Sequence, residues 1–140
     1  MKIPEQYTQL MPYLILKNTD GFRRFMAEAF ESTEQLIVPA DDGSVMHGEL
    51  RVGDAVIMFA ETGGQFPVMN AGMFIYVDSV DATYKKALAA GAVTMQGQEP
   101  SDKDYGRACG VTDPFGNTWW ITSVKEKKLR NDCLFIADKE

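Results

Sequence analysis

One histidine, two cysteines, no excess of positive charge and no apolar run near 18 residues set the first limits on this 140-residue chain. A lone histidine, His47, excludes a centre built on several histidines of one chain. The cysteines, Cys109 and Cys133, stand 24 positions apart with no C-x-x-C companion, which excludes the usual zinc and redox motifs and leaves reduced thiols as the expectation. Lys and Arg total 14 against 20 Asp and Glu, a net charge of -6, so neither a nucleic-acid backbone nor an anionic membrane is the expected partner. The short apolar runs exclude a spanning helix. The opening MKIPEQYTQL has no apolar signal region, and a cytoplasmic location is expected. What is present is a hydrophobic fraction of 45% with 24% charged residues, enough to bury a core.

The order of predicted elements occurs twice. MPYLIL (11–16) is short enough for a strand. Asn18-Thr19-Asp20 then offers capping oxygens before Phe22, Phe25, Met26, Ala29 and Phe30, one stripe of a helix. Residues 35–39 read as a strand, and 44–51 with 54–61 as a hairpin turning at Val-Gly-Asp. The Gly- and Pro-rich TGGQFPVMN (62–70) is the expected linker. Strand 72–77 follows, then a helix begun by Asp78-Ser79 with the stripe Val80, Tyr84, Ala87 and Leu88, stopped by Gly91. A short strand at 92–96 leads to a second hairpin, 105–112 and 117–124, around DPFGN. Strand, helix, strand, strand, strand is thus read in each half, although the halves share negligible identity.

This repeated βαβββ order, with DPFGN before the last strand, resembles the vicinal oxygen chelate superfamily of glyoxalases, bleomycin-resistance proteins and extradiol dioxygenases. MPYLIL, MHGELRVGDAVIMFAE, FIYVDSVDATYKKALAAGA and YGRACGVTDPFGNTWWI resemble its PhnB-like branch. The resemblance implies an α+β fold in which two βαβββ modules form an incomplete barrel with a concave ligand cavity. A single domain, 1–140, would hold modules at 9–61 and 71–124 and a tail at 125–140 carrying the apolar patch Leu134-Phe135-Ile136. Catalytic members hold a divalent metal with His, Gln or Glu from four strands. The corresponding positions here are Met11, Met58, Gly72 and Trp120, and shifting by one residue reaches no better donor. Thioether, glycine and indole are poor partners for such ions, so no metal and no other cofactor is expected.

Alternation along the hairpins gives the cavity lining. A turn centred on Val52-Gly53 pairs His47 with Met58, and one centred on Gly53-Asp54 pairs Glu49 with Met58; either puts His47, Glu49, Arg51 and Met58 on one face. A four-residue loop at 113–116 sets Cys109 opposite Trp120, with Arg107 and Tyr105 on that face, and an odd loop length reverses this. Tyr13, Phe74 and Tyr76 share the cavity parity. Trp119 then enters the core while Trp120 stands on the concave side. Such a lining suits a small organic ligand, with aromatic walls for burial and His47, Glu49, Tyr105 and Arg107 for orientation. Cys109 reads as packing, because nothing local depresses its pKa.

The expected function is metal-free binding or sequestration of a small molecule by a homodimer, as the resemblance to bleomycin-resistance proteins implies. The alternatives are a glyoxalase- or dioxygenase-type enzyme with a rearranged metal site at His47 and Glu49, and a metal-independent acid-base enzyme using His47. His47 is the best candidate for a catalytic residue, although a lone histidine on a half-buried strand more often serves structure alone.

Overall fold

The computed structural model describes residues 1–125; Cys133 and the patch 134–136 lie outside them. The elements are β1 (Tyr13–Leu16), α1 (Thr19–Phe30), β2 (Thr33–Pro39), β3 (Val45–Val52), β4 (Ala55–Glu61), β5 (Gly72–Tyr76), α2 (Val80–Ala89), β6 (Val93–Thr94), β7 (Ser101–Lys103), β8 (Gly106–Thr112) and β9 (Thr118–Val124). One sheet runs β1-β4-β3-β2 and the other β5-β9-β8-β6, with β7 also on β8. In each module the first strand lies parallel to the last, β1 on β4 and β5 on β9, because the intervening helix carries the chain back over the sheet. The fold is α+β, two open sheets from a repeated βαβββ order. The additional strand β7 was not foreseen: Ser101-Asp102-Lys103 shows no apolar alternation that would mark a strand.

Both helices start and stop where their residues dictate. Asn18 adopts φ 58 and its side chain accepts from the Gly21 N–H, and all five stripe residues, Phe22, Phe25, Met26, Ala29 and Phe30, are buried. Burying each large member stabilises by roughly 1.5–3 kcal/mol before entropy is subtracted. Ser79 caps α2 by accepting from the Ala82 N–H, and the chain leaves that helix through Gly91 at φ 111. Val80 and Ala87 are buried, whereas Tyr84 and Leu88 are half-buried against the same core.

The two helices pack together, and the helix-covered faces of both sheets share one core. Phe30 of α1 meets Trp119 of β9 at a ring separation of 4.5 Å, and Phe115 from the DPFGN turn packs edge-on against Phe22 and Phe25. Met69 in the expected linker exchanges two backbone hydrogen bonds with Ile15, at 3.0 and 2.8 Å, and so covers part of the outer edge of β1. Among the described residues no helix is long and apolar enough to cross a membrane.

The hairpin registers decide which residues face outward. In β3–β4 the pairs Glu49↔Met58 and Val52↔Ala55 centre the turn on Gly53-Asp54, the second of the two expected alternatives, with Gly53 at φ 58. In β8–β9 the pairing is Gly110↔Trp120 and Cys109↔Ile121. Here the expectation is corrected. Asp113 N–H bonds the Asn117 carbonyl at 2.9 Å, so the loop between them is Pro114-Phe115-Gly116, an odd count closed by Gly116 at φ 91. One residue of slip sends Cys109 and Arg107 to the helix side and puts Ala108 and Gly110 beside Trp120.

Candidate functional site

The helix-free face of the first sheet carries a connected polar network. Pairing places Tyr13 and Glu49 on either side of Met58, and strand alternation adds His47 and Arg51 from β3. The Tyr13 hydroxyl lies 2.8 Å from His47 Nδ1, and His47 Nε2 lies 2.8 Å from Glu49 Oε2. Gln35 donates to Glu49 Oε1 at 2.9 Å, and the Tyr7 hydroxyl approaches both carboxylate oxygens at 3.0 Å. Arg51 donates to Gln35 Oε1 and to the Gln6 carbonyl, at 3.0 and 2.7 Å from Nη2, which ties the N-terminal segment to the sheet.

The network grades from buried to open. Glu49 is 1% exposed, the His47 side chain 26%, and Tyr13 45%. Burial pushes the Glu49 carboxyl up, but the hydrogen bonds from Gln35, His47 and Tyr7 outweigh it and hold the group below the ordinary carboxylate range. Tyr13 is pushed up, first by burial and then by the negative charge of Glu49; Tyr7 is pushed up chiefly by its hydrogen bond to Glu49. Tyr13 at rest is therefore a phenol, not a phenolate.

Tyr7 and Gln35 were missed from sequence. Tyr7 is one aromatic in a polar opening stretch, and nothing local announces that it folds onto β3. Gln35 reaches the network because the β2–β3 register shifts between Glu34 and Leu36, an irregularity that alternation alone does not reveal.

The helix-free face of the second sheet is aromatic. Phe74 pairs with Trp120, Tyr76 lies 5.3 Å from Phe74 ring to ring, and the three are 54%, 63% and 41% exposed in the order Phe74, Tyr76, Trp120. Trp119 takes the opposite direction, buried with its indole N–H on Asp113 Oδ2 at 2.9 Å. Of the remaining expected lining residues, Tyr105 sits exposed in the β7–β8 turn. Arg107 spans from β8 to α2, with Nε and Nη2 on the two oxygens of Asp81 at 2.8 and 3.1 Å and Nη1 on Asp102. Its guanidinium is thereby held above its ordinary range by Asp81 and then Asp102, and its fork is occupied. Tyr13, His47, Glu49 and Met58 are thus brought together, Tyr76 and Trp120 form a second group, and Tyr105 and Arg107 join neither.

A groove of about 920 Å³ lies between the modules, floored by Phe30, Ile57, Met73, Ile75 and Trp119, with Tyr76 among its lining residues. None of Tyr13, His47 and Glu49 lines it. Of its charged lining residues, Glu31, Asp54, Asp78 and Lys86, Lys86 pairs with Glu31 at 3.0 Å. The floor is the open end of the shared core, so size alone does not make it the site of chemistry.

The divalent ion of catalytic members does not fit this donor set. Met58 and Trp120 face Tyr13 and Phe74 across the parallel pairings, and a Cβ on Gly72 would meet the Trp120 ring at 3.0 Å. Met11, the remaining corresponding position, offers a thioether. His47 and Glu49 spend their polar atoms on Tyr13, Tyr7, Gln35 and each other. Among the described residues no group of three or more His, Cys, Asp or Glu side chains is placed to hold an ion.

The family profile for the glyoxalase At5g48480-like C-terminal domain matches residues 73–122. Protein Mb0911c of Mycobacterium bovis is 31% identical over 122 residues, covering 79% of each chain. The same fold occurs in TioX from Micromonospora sp. ML1, with a TM-score of 0.69 at 24% identity over 84% of this chain and 99% of that one. It occurs also in a glyoxalase/bleomycin resistance protein/dioxygenase family enzyme from Burkholderia phytofirmans, with a TM-score of 0.64 at 19% identity over 82% and 97%. The two-module topology and these matches agree: the chain belongs to the vicinal oxygen chelate superfamily of glyoxalase, bleomycin-resistance and dioxygenase proteins.

Proposed function

We propose that the protein binds a small organic molecule on the face that holds Tyr13, His47, Glu49 and Met58, without the divalent metal of its catalytic relatives. The observation that carries this reading is the Tyr13–His47–Glu49 chain, polar groups converging beside a thioether and an aromatic ring on an open sheet face. Binding sites combine such orienting groups with apolar walls. The inter-module groove has the volume but no comparable convergence.

The reading includes a homodimer. Phe74, Tyr76 and Trp120 form an exposed aromatic patch, and a second copy is the simplest partner to cover it. A cytoplasmic location fits the free, buried Cys109. A thermal-shift screen of small aromatic and polar fragments tests the function. Binders should raise the melting temperature of the wild type and raise it less with His47→Ala, since a ligand at 100 times its Kd stabilises by about 2.7 kcal/mol and weaker binding lowers that gain. A screen blank at millimolar concentration overturns the reading.

A further inference from the structure

We propose that Tyr13, His47 and Glu49 form a proton relay that takes a weakly acidic sp²-bound hydroxyl, a phenol or an enol, and holds it as its oxyanion. This rests on the small-molecule reading of the face and adds to it the ligand class and the destination of the proton.

With His47 neutral, the geometry gives the starting state. Glu49 is ionised, so it accepts at 2.8 Å from His47 Nε2, which must carry the hydrogen. A neutral imidazole has only one N–H, so Nδ1 presents a lone pair, and the Tyr13 hydroxyl 2.8 Å away donates to it. The Tyr13 oxygen retains acceptor capacity, and the residue is half-exposed. Once Nδ1 is protonated the order inverts: its N–H donates to the Tyr13 oxygen, and the phenolic hydrogen is released toward the ligand. Tyr13 is an acceptor in one state and a donor in the other, and His47 decides which.

The transfer balances without a co-reactant. The ligand hydroxyl donates to the Tyr13 oxygen; its O–H bond breaks as a new O–H bond forms on Tyr13. The hydrogen that Tyr13 previously held forms the N–H bond on His47 Nδ1. The ligand keeps the electron pair as an oxyanion, hydrogen-bonded by Tyr13, and the imidazolium is compensated by Glu49.

The charges around His47 narrow the ligand class. Tyr13 faces it from β1, Glu49 and Arg51 come from β3, and Tyr7 from the N-terminal segment, while β2 and β4 contribute the uncharged Gln35, Val38 and Met58. A carboxylic acid is already ionised at neutral pH and would meet the charge of Glu49. An aliphatic alcohol is too weak an acid to surrender its proton. Phenols and enols carry an acidic hydrogen on an sp² oxygen, which the Tyr13–His47 pair is placed to accept. Tyr13 is the group that touches the ligand, and His47 and Glu49 act through it.

A nitrophenol, whose phenolate absorbs visible light, tests the relay on the full chain. Equilibrium dialysis measures binding, and the spectrum of the bound probe measures its ionisation as a function of pH. The apparent pKa of the bound probe should fall by about one unit or more, roughly tenfold in the ionisation ratio. That shift should vanish with Tyr13→Phe and with His47→Gln, read on the bound fraction at whatever probe concentration dialysis shows each variant needs, with circular dichroism showing a folded chain. A probe bound without the shift, or a shift that survives both substitutions, overturns the relay and leaves the binding reading standing. Absence of binding at millimolar probe overturns the assigned ligand class, and the broader reading falls only if the fragment screen is blank too.

Discussion

Replacing Glu49 with Ala should destabilise the protein through three donors at once. The carboxylate accepts from Tyr7, Gln35 and His47 while only 1% exposed, so its removal strands hydrogen-bonding groups rather than a free surface charge. A fully buried unsatisfied donor costs about 1–3 kcal/mol, but His47 and Tyr7 are open enough for water to replace part of the loss. The net is about 2–3 kcal/mol, which in a domain of this size lowers Tm by about 6–12 °C. Glu49→Gln keeps one acceptor and should lose about half as much. The pH dependence follows from the lowered carboxyl: folded Glu49 ionises more readily than the unfolded residue, whose ordinary value is 4.5. Its contribution is thus fully present above that value and is lost as the pH falls through the folded one, so wild type and Glu49→Gln should converge in acid. Calorimetry from neutral pH down to the acid limit measures both effects. A Glu49→Ala shift of less than about 2 °C at neutral pH, or a gap that persists undiminished into acid, would refute the reasoning.

Asp113 accepts from the backbone of Phe115 and Asn117, the Asn117 side chain and the Trp119 indole, so Asp113→Ala should cost about 3 kcal/mol or more and flatten the near-ultraviolet tryptophan dichroism; an unchanged spectrum and melting curve contradict this. Burial pushes the Cys109 thiol up to about 11, so in a Cys133→Ser background a thiol reagent at mildly alkaline pH should label the native chain only after denaturant is added. Replacing Phe74 and Tyr76 together with Ser should shift a sedimenting dimer toward monomer, and an unaltered sedimentation coefficient would exclude this face from the contact.

The parts legible in sequence were those written in strong periodicity. The five-residue stripe of α1 and the alternation of β3 fixed both the helix and the common face of His47, Glu49 and Met58. Register between strands was less accessible, because it depends on loop length. Two turns were compatible with Val-Gly-Asp, and the structure selects Gly53-Asp54. At DPFGN the backbone bond from Asp113 to Asn117 shortens the loop to an odd count and reverses the face of Arg107 and Cys109. Tyr7 and Gln35 were illegible for different reasons, a long-range contact of a polar segment and a local irregularity in β2. The second strand of the last hairpin was read correctly in its tryptophans: Trp119 enters the core, and Trp120 stands on the other side.

The two competing locations for a ligand each contain a methionine, Met58 on the His47 face and Met73 in the inter-module groove. Methyl-labelled methionine spectra of the full chain, recorded while a binding fragment is titrated in, therefore decide between them. Ligand at the proposed site should move the Met58 methyl resonance together with the His47 ring signals and leave Met73 in place. Movement of Met73 with Met58 and His47 unchanged would contradict the account.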